Sequence, residues 1–277
     1  MKKESFITKL SDVERDLSFI QTQNLLNKMD GWFSAASHGM FQFFLRYQNE
    51  NKINGNLGEI GVWKGKSAAV ISKFSKENES VFLIDPLIKD FSETIYRNID
   101  YVCKKISEKL VMCNIVSDNF DKIPNYQSLL HSFRFFHIDG CHTGTNIFKD
   151  LKLADSLIST DGIVVVDDFF NYSYPQITEA LYRYLQVNPF SYRLFCVGYN
   201  KAYLCRPEKL SEYYSYCLNN IQLEFMKMQM AICVKKTSGL GDSYTISING
   251  FEKETDPLSG FRGPDWNPNK LDRIVIS

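Results

Sequence analysis

The sequence has no net charge, no paired cysteines and no long apolar run. Its 32 Lys and Arg balance 32 Asp and Glu across 277 residues. A neutral chain has no long-range field for gripping a phosphate backbone, which argues against nucleic acid as the main partner. The seven cysteines, at 103, 113, 141, 196, 205, 217 and 233, include no CxxC pair. Their odd number and wide spacing argue against a disulfide framework or a clustered zinc site. They read as small buried hydrophobes in a reducing compartment. No apolar stretch nears the roughly 20 residues of a membrane span. The opening MKKESFITKLSDVERD is basic at its start but lacks the apolar segment of a secretory leader. A cytoplasmic location is therefore the expectation. Two nucleotide motifs are also missing. No G-x-G-x-x-G occurs, and Gly61 to Gly65 encloses one residue too few for a P-loop.

What remains is 44% hydrophobic and 14% aromatic, enough for one α/β domain with additions. The first 50 residues read as two helices. One is capped by Ser11 or Asp12 and broken at Gly31. The other is rich in aromatics, and its Phe41 to Phe44 would suit an oligomer interface. A regular alternation follows. Strands are expected at 57–62, 80–85, 109–116, 133–139 and 161–168, and helices near 67–76, 92–107, 119–131, 144–158 and 175–188. The segments SYRLFCVG and KAYLCRP read as an antiparallel hairpin. Continuous apolar strands alternating with helices imply a parallel sheet covered on both faces. Beyond 207, a helix at 208–230, a strand at YTISI and a Pro- and Gly-rich tail are expected.

The acids fall where these strands end. In LGEIGVWKGKS, Gly61 and Gly65 permit a sharp turn and close backbone approach to a ligand, and Glu59 stands just before them. Asp85 closes the second strand, placed to accept both hydroxyls of a ribose. His137-Ile138-Asp139-Gly140 closes the fourth, and Asp167-Asp168 the fifth. Open α/β sheets bind ligands at these carboxyl ends. Crowded carboxylates repel unless a cation neutralises them, and a hard ion such as Mg²⁺ is the simple resolution. His142 could take a proton from a hydroxyl there. His137, within an apolar strand, reads as a core residue.

In that order and spacing, LGEIGVWKGKS, FLIDP and HIDGCH…DGIVVVDDF resemble class I methyltransferases that use S-adenosylmethionine (SAM). More narrowly they resemble the macrocin- and mycinamicin-type sugar O-methyltransferases. The resemblance spans about residues 55–206. It implies a Rossmann-like doubly wound α/β sheet of seven strands, in order 3-2-1-4-5-7-6, with strand seven antiparallel. A helical cap (1–54) would precede this SAM domain (55–206), and a helix and loop extension (207–277) would pack on it. By the same resemblance Glu59, Gly61 and Ser67 line the methionine half of SAM, together with the turn at Gly65. Asp85 then holds the ribose, and Ser117 and Asp118 line the adenine pocket. Asp139 adjoins the cofactor and, with Asp167 and Asp168, holds Mg²⁺. His142 is the candidate base.

The implied acceptor is a small-molecule, nucleotide-linked or glycan-linked sugar of surface-polysaccharide or natural-product biosynthesis. A homo-oligomer is expected. N-methylation and a non-sugar diol remain open. Trp32, Trp266 and the tail are candidates for a lid or acceptor wall. A NAD-dependent oxidoreductase is the alternative class, and the missing G-x-G-x-x-G counts against it.

Overall fold

The computed structural model describes residues 7–8, 13–104, 106–238, 244–250 and 274–275. Ser11, Asp12, Trp266 and nearly all of the tail lie outside the described residues. Among the described residues nine strands form one sheet: β1 Asn56–Ile60, β2 Val81–Ile84, β3 Leu110–Cys113, β4 Phe133–Ile138, β5 Ile158–Asp167, β6 Arg193–Gly198, β7 Lys201–Cys205, β8 Ile232–Ser238 and β9 Tyr244–Gly250. Their order is 3-2-1-4-5-7-6-9-8. The first seven reproduce the expected topology. Strands β1 to β5 are mutually parallel, and β7 runs antiparallel to both β5 and β6.

The sheet is longer than expected. β9, anticipated at YTISI, joins β6 in parallel and pairs antiparallel with β8, a strand the sequence reading missed. β8 begins in ICV and then presents Lys235 and Lys236 at the sheet edge. Edge lysines discourage further strand pairing.

Among the described residues eight helices cover the faces: α1 Leu17–Leu26, α2 Ala35–Glu50, α3 Lys66–Lys73, α4 Ile88–Cys103, α5 Tyr126–Leu129, α6 Gly144–Leu157, α7 Pro175–Val187 and α8 Leu210–Lys227. The segment expected as one helix at 119–131 is instead a 3₁₀ turn, Ser117–Lys122, followed by the single turn α5. Pro124 stands between the two and removes a backbone donor. α1 is capped by Asp16, whose Oδ1 accepts the Phe19 N–H at 2.8 Å.

β5 alternates between two cores. Ile163 and Val165 face the layer of α1, α2, α3, α4 and α8, whereas Val164 and Val166 face α6 and α7. α2 corrects one expectation. Phe41, Phe43 and Phe44 are fully buried within the chain's own core, so they are not an interface. Phe41 meets Phe135 edge-on at 5.1 Å and Phe44 meets Phe195 at 5.4 Å, which docks α2 on the sheet. Two buried polar clusters accompany it. Arg134, fully buried, engages Glu79 through Nε and Nη2 at 2.8 Å each and Gln48 Oε1 at 2.9 Å. His38 Nδ1 lies 2.9 Å from Gln23 Oε1, and its ring stacks on Phe19 at 4.3 Å.

Burial holds the His38 pKa well below the ordinary 6.5. The unfolded chain takes up this proton near pH 6.5, while the folded chain does not. Stability owed to neutral His38 is therefore present above pH 6.5 and lost as the pH falls below it. His38→Phe should remove this dependence. Between pH 7.5 and 5.5 the variant's stability relative to the natural chain should rise by about 1.4 kcal/mol. Urea unfolding at the two pH values measures it, and an unchanged difference would show that His38 titrates normally.

Candidate active site

β1 ends in a glycine turn that only Gly61 can make. Its φ is +83°, and a Cβ there would lie 1.8 Å from the Asp139 carbonyl oxygen. β1 and β4 approach so closely because the Asp139 N–H donates to the Ile60 carbonyl at 2.8 Å. Asp85, at the end of β2, organises the turn. Its Oδ2 accepts the Val62 and Trp63 N–H groups at 2.8 and 3.0 Å, and its Oδ1 accepts the Leu87 N–H at 2.7 Å. Each carboxylate oxygen has two acceptor positions. One therefore remains, on Oδ1, where the sequence suggested that Asp85 would take both ribose hydroxyls.

A cavity of about 500 Å³ opens above this turn. Gly61 and Asp85 line one part of it, and Ser117, Asp118, Asn146 and Asp150 another. The volume suits a small cofactor. The residues after β3 are latched to α6. Ser117 Oγ donates to Asp150 Oδ1 at 2.5 Å, and Lys149 pairs with Asp118. Burial pushes the Asp150 carboxyl up to about 6. Three expected cofactor residues stand back from this lining. Gly65 is the left-handed N-cap of α3, Ser67 is buried in the first turn of that helix, and Glu59 is fully buried beneath the turn.

A second cavity, of about 580 Å³, lies against the first. Asp139, His142, Asp167, Asp168, Asn171, Tyr174 and Lys201 are among its walls. Trp32, Asp139 and His142 line both cavities. Trp32 is 82% exposed and stacks on Trp63 of the glycine turn at 4.8 Å. The N-terminal segment thus reaches the place where the cavities meet.

The acids at the ends of β4 and β5 do not face one another unaided. Glu59 and His137 are direct neighbours on paired strands, as are Asp167 and Lys201. Together they form a buried chain of alternating charge. Glu59 Oε1 lies 2.7 Å from His137 Nδ1, His137 Nε2 lies 3.4 Å from Asp167 Oδ2, and Lys201 Nζ donates to that oxygen at 2.5 Å. Burial disfavours a charge on His137, but the carboxylates of Asp167 and Glu59 outweigh it and raise its pKa to about 9. Burial likewise disfavours charge on Asp167, yet Lys201 and His137 hold it well below the usual carboxylate range.

Asp139 has a more distant cationic partner, His142, than Asp167 has in Lys201. Burial and the Asp167 charge push it up to about 7. His142 Nε2 lies 3.8 Å from Asp139 Oδ1 and 3.0 Å from Asp168 Oδ2, and these carboxylates raise the imidazole to about 10. The ring stacks on Tyr174 at 4.2 Å. Burial opposes ionisation of Asp168 as well. His142 and the amides of Asn171 and Asn200 prevail and keep it low.

Lys201, Asn171, Asn200 and Tyr174 were missed by sequence reading. For Lys201 a signal existed: a lysine opens KAYLC, a strand otherwise apolar and buried throughout. Such a charge needs a buried partner.

The donor set can be tested against a hard cation. Asp139, His142 and Asp168 offer ligand atoms within 4.8 Å of one another, as do His137, Asp139 and Asp167. The second group includes His137 and an Asp167 oxygen already held by Lys201. Asp139 and Asp168 are the oxygens that fit.

Residues 59–169 match the family model described as a methyltransferase domain. Among solved structures, a Corynebacterium glutamicum protein aligns at TM-score 0.52 and 10% identity, covering 71% of this chain and 92% of its own. CalS11, a TDP-rhamnose 3'-O-methyltransferase of calicheamicin biosynthesis, aligns at 0.49 and 13%, covering 72% and 99%. TomG, an O-methyltransferase of Streptomyces achromogenes, aligns at 0.47 and 12%, covering 85% and 89%. No curated protein matches the sequence. Residues 59–169 thus carry a methyltransferase-type domain by the family model, and the strand order 3-2-1-4-5-7-6 is the one expected of that fold. Among the described residues no helix is long and apolar enough to cross a membrane.

Proposed function

We propose that the protein is an O-methyltransferase acting on a vicinal diol, with a sugar hydroxyl as the leading acceptor class, in surface-polysaccharide or natural-product biosynthesis. One observation carries this reading: Asp139 and His142 line the cofactor cavity and the neighbouring cavity at once. A group so placed touches both reactants. Asp85 and the residues after β3 hold SAM in the first cavity. The second holds the acceptor, with the Tyr174 and Trp32 rings as walls for a sugar face.

The acceptor oxygen attacks the methyl carbon of SAM as the carbon–sulfur bond breaks. The sulfur keeps that electron pair and leaves as S-adenosylhomocysteine (SAH). His142, charged beside Asp139 and Asp168, must first give up the proton on Nε2; the neutral ring then takes the hydroxyl proton at that nitrogen. The enzyme's main contribution is alignment and deprotonation, because a sulfonium leaves readily. Asp139 and Asp168 would hold Mg²⁺. When bound, it supplies charge that replaces the one His142 lends these carboxylates, and it lowers the pKa of a chelated diol.

Labelled SAM with a panel of glycosides and catechols tests the reading. Methyl transfer to a diol, lost on chelation and restored by Mg²⁺, is expected. Full activity after exhaustive chelation would remove the cation. Transfer confined to amines would remove O-methylation, and failure to bind SAH would remove the whole reading.

A further inference from the structure

The two acids that end β5 do different work. Asp168 presents Oδ2 to His142 at 3.0 Å, while its Oδ1 accepts from Asn171 Nδ2 at 2.7 Å and Asn200 Nδ2 at 2.5 Å. Its backbone is left-handed, with φ +56°. A residue with a Cβ stays in that conformation only when its surroundings hold it there. Asp167 supplies part of that hold, because its Oδ1 accepts the Asp168 N–H at 2.8 Å. Its Oδ2 carries the Lys201 ammonium at 2.5 Å and faces His137 at 3.4 Å. Lys201 is only 3% exposed, so a cation on that oxygen would have to displace a buried ammonium. Lys201 in turn follows Asn200, one of the two amides on Asp168.

The geometry points to Asp167 as a positioning residue that aims the Asp168 carboxylate, pinned by Lys201 and His137, and not as a cation ligand. This rests on the cation reading above, and it divides an acidic pair that sequence alone treats as equivalent.

Mn²⁺ binding by titration calorimetry tests it without an acceptor, with SAH binding as the check on folding. Asp168→Asn should weaken Mn²⁺ at least tenfold. Asp167→Asn alone should also weaken it, because Lys201 is left unpaired beside the site. Adding Lys201→Met should restore affinity to within threefold of the natural chain. Asparagine keeps the oxygen that accepts the Asp168 N–H, and the double change leaves the site's formal charge as it was. Asp167→Ala with Lys201→Met has the same charge but lacks that oxygen, and should stay at least tenfold weaker. Loss of Mn²⁺ in both double variants would make Asp167 a ligand, and retention in both would give it no role. Either result overturns the inference while the cation reading stands. A natural chain that binds SAH but no Mn²⁺ removes the cation reading and this inference with it.

Discussion

His142→Ala is expected to lower kcat by about 10²- to 10⁴-fold, the usual worth of a positioned general base. SAH affinity should change by no more than about threefold. The separation follows from geometry. Asp85 and the glycine turn, which line the proposed cofactor cavity, are held together by the Val62, Trp63 and Leu87 N–H groups, whereas His142 stands where the cavities meet. Turnover with an acceptor from the labelled-SAM screen measures the first quantity, and calorimetry the second. Activity within tenfold of the natural chain would mean that another group takes the proton. A parallel loss of SAH binding would mean that His142 serves the cofactor.

Gly61→Ala should abolish SAH binding and destabilise the fold by about 3 kcal/mol, combining overpacking with left-handed strain. The added methyl group would meet backbone, not a side chain that can swing away. It falls 1.8 Å from the Asp139 carbonyl oxygen and 2.8 Å from the Gly140 nitrogen. Relief requires β1 and β4 to separate at the point where Asp139 enters the site. Urea unfolding and SAH calorimetry report the two effects. An alanine variant that binds SAH normally would show that the turn can move without cost to the cofactor cavity. Gly65→Ala makes a useful contrast. Its nearest neighbour would be the Ile95 side chain at 3.3 Å, so its cost is mostly the φ of +79°.

The parts of the site legible in the sequence are those built by neighbours in the chain. Asp139 and His142 are three residues apart, at the end of one apolar strand and in the loop after it. Asp167 and Asp168 end another. Strand ends can be read because apolar runs stop there, and parallel α/β sheets gather them on one edge. The glycine turn was legible for the same local reason. The role of Asp85 was only half legible. Its position at a strand end could be read, but not that the N–H groups of Val62, Trp63 and Leu87 would occupy most of its acceptor positions.

Pairs made across the sheet were not legible. Glu59 meets His137, 78 residues away, and Asp167 meets Lys201, 34 away. Arg134 finds Glu79 at a separation of 55 and Gln48 at 86. Alternation along a strand says which face a side chain takes, but not which strand lies alongside. Only the order 3-2-1-4-5-7-6 sets Lys201 opposite Asp167. The aromatic helix α2 misled for a similar reason. Its phenylalanines demanded burial, and the sequence could not say whether the covering surface was the chain's own sheet or a second copy.

By itself, then, the sequence determined the alternating α/β class and the acids at the ends of its strands. Apolar periodicity and turn chemistry are local, and local rules suffice for them. Only the tertiary structure decided how those acids are partnered. A buried charge is tolerated when an opposite charge or donor reaches it, and which one reaches it is settled by strand order and register. That is why two adjacent aspartates, alike in the sequence, end as one carboxylate pinned by a lysine and one turned toward His142.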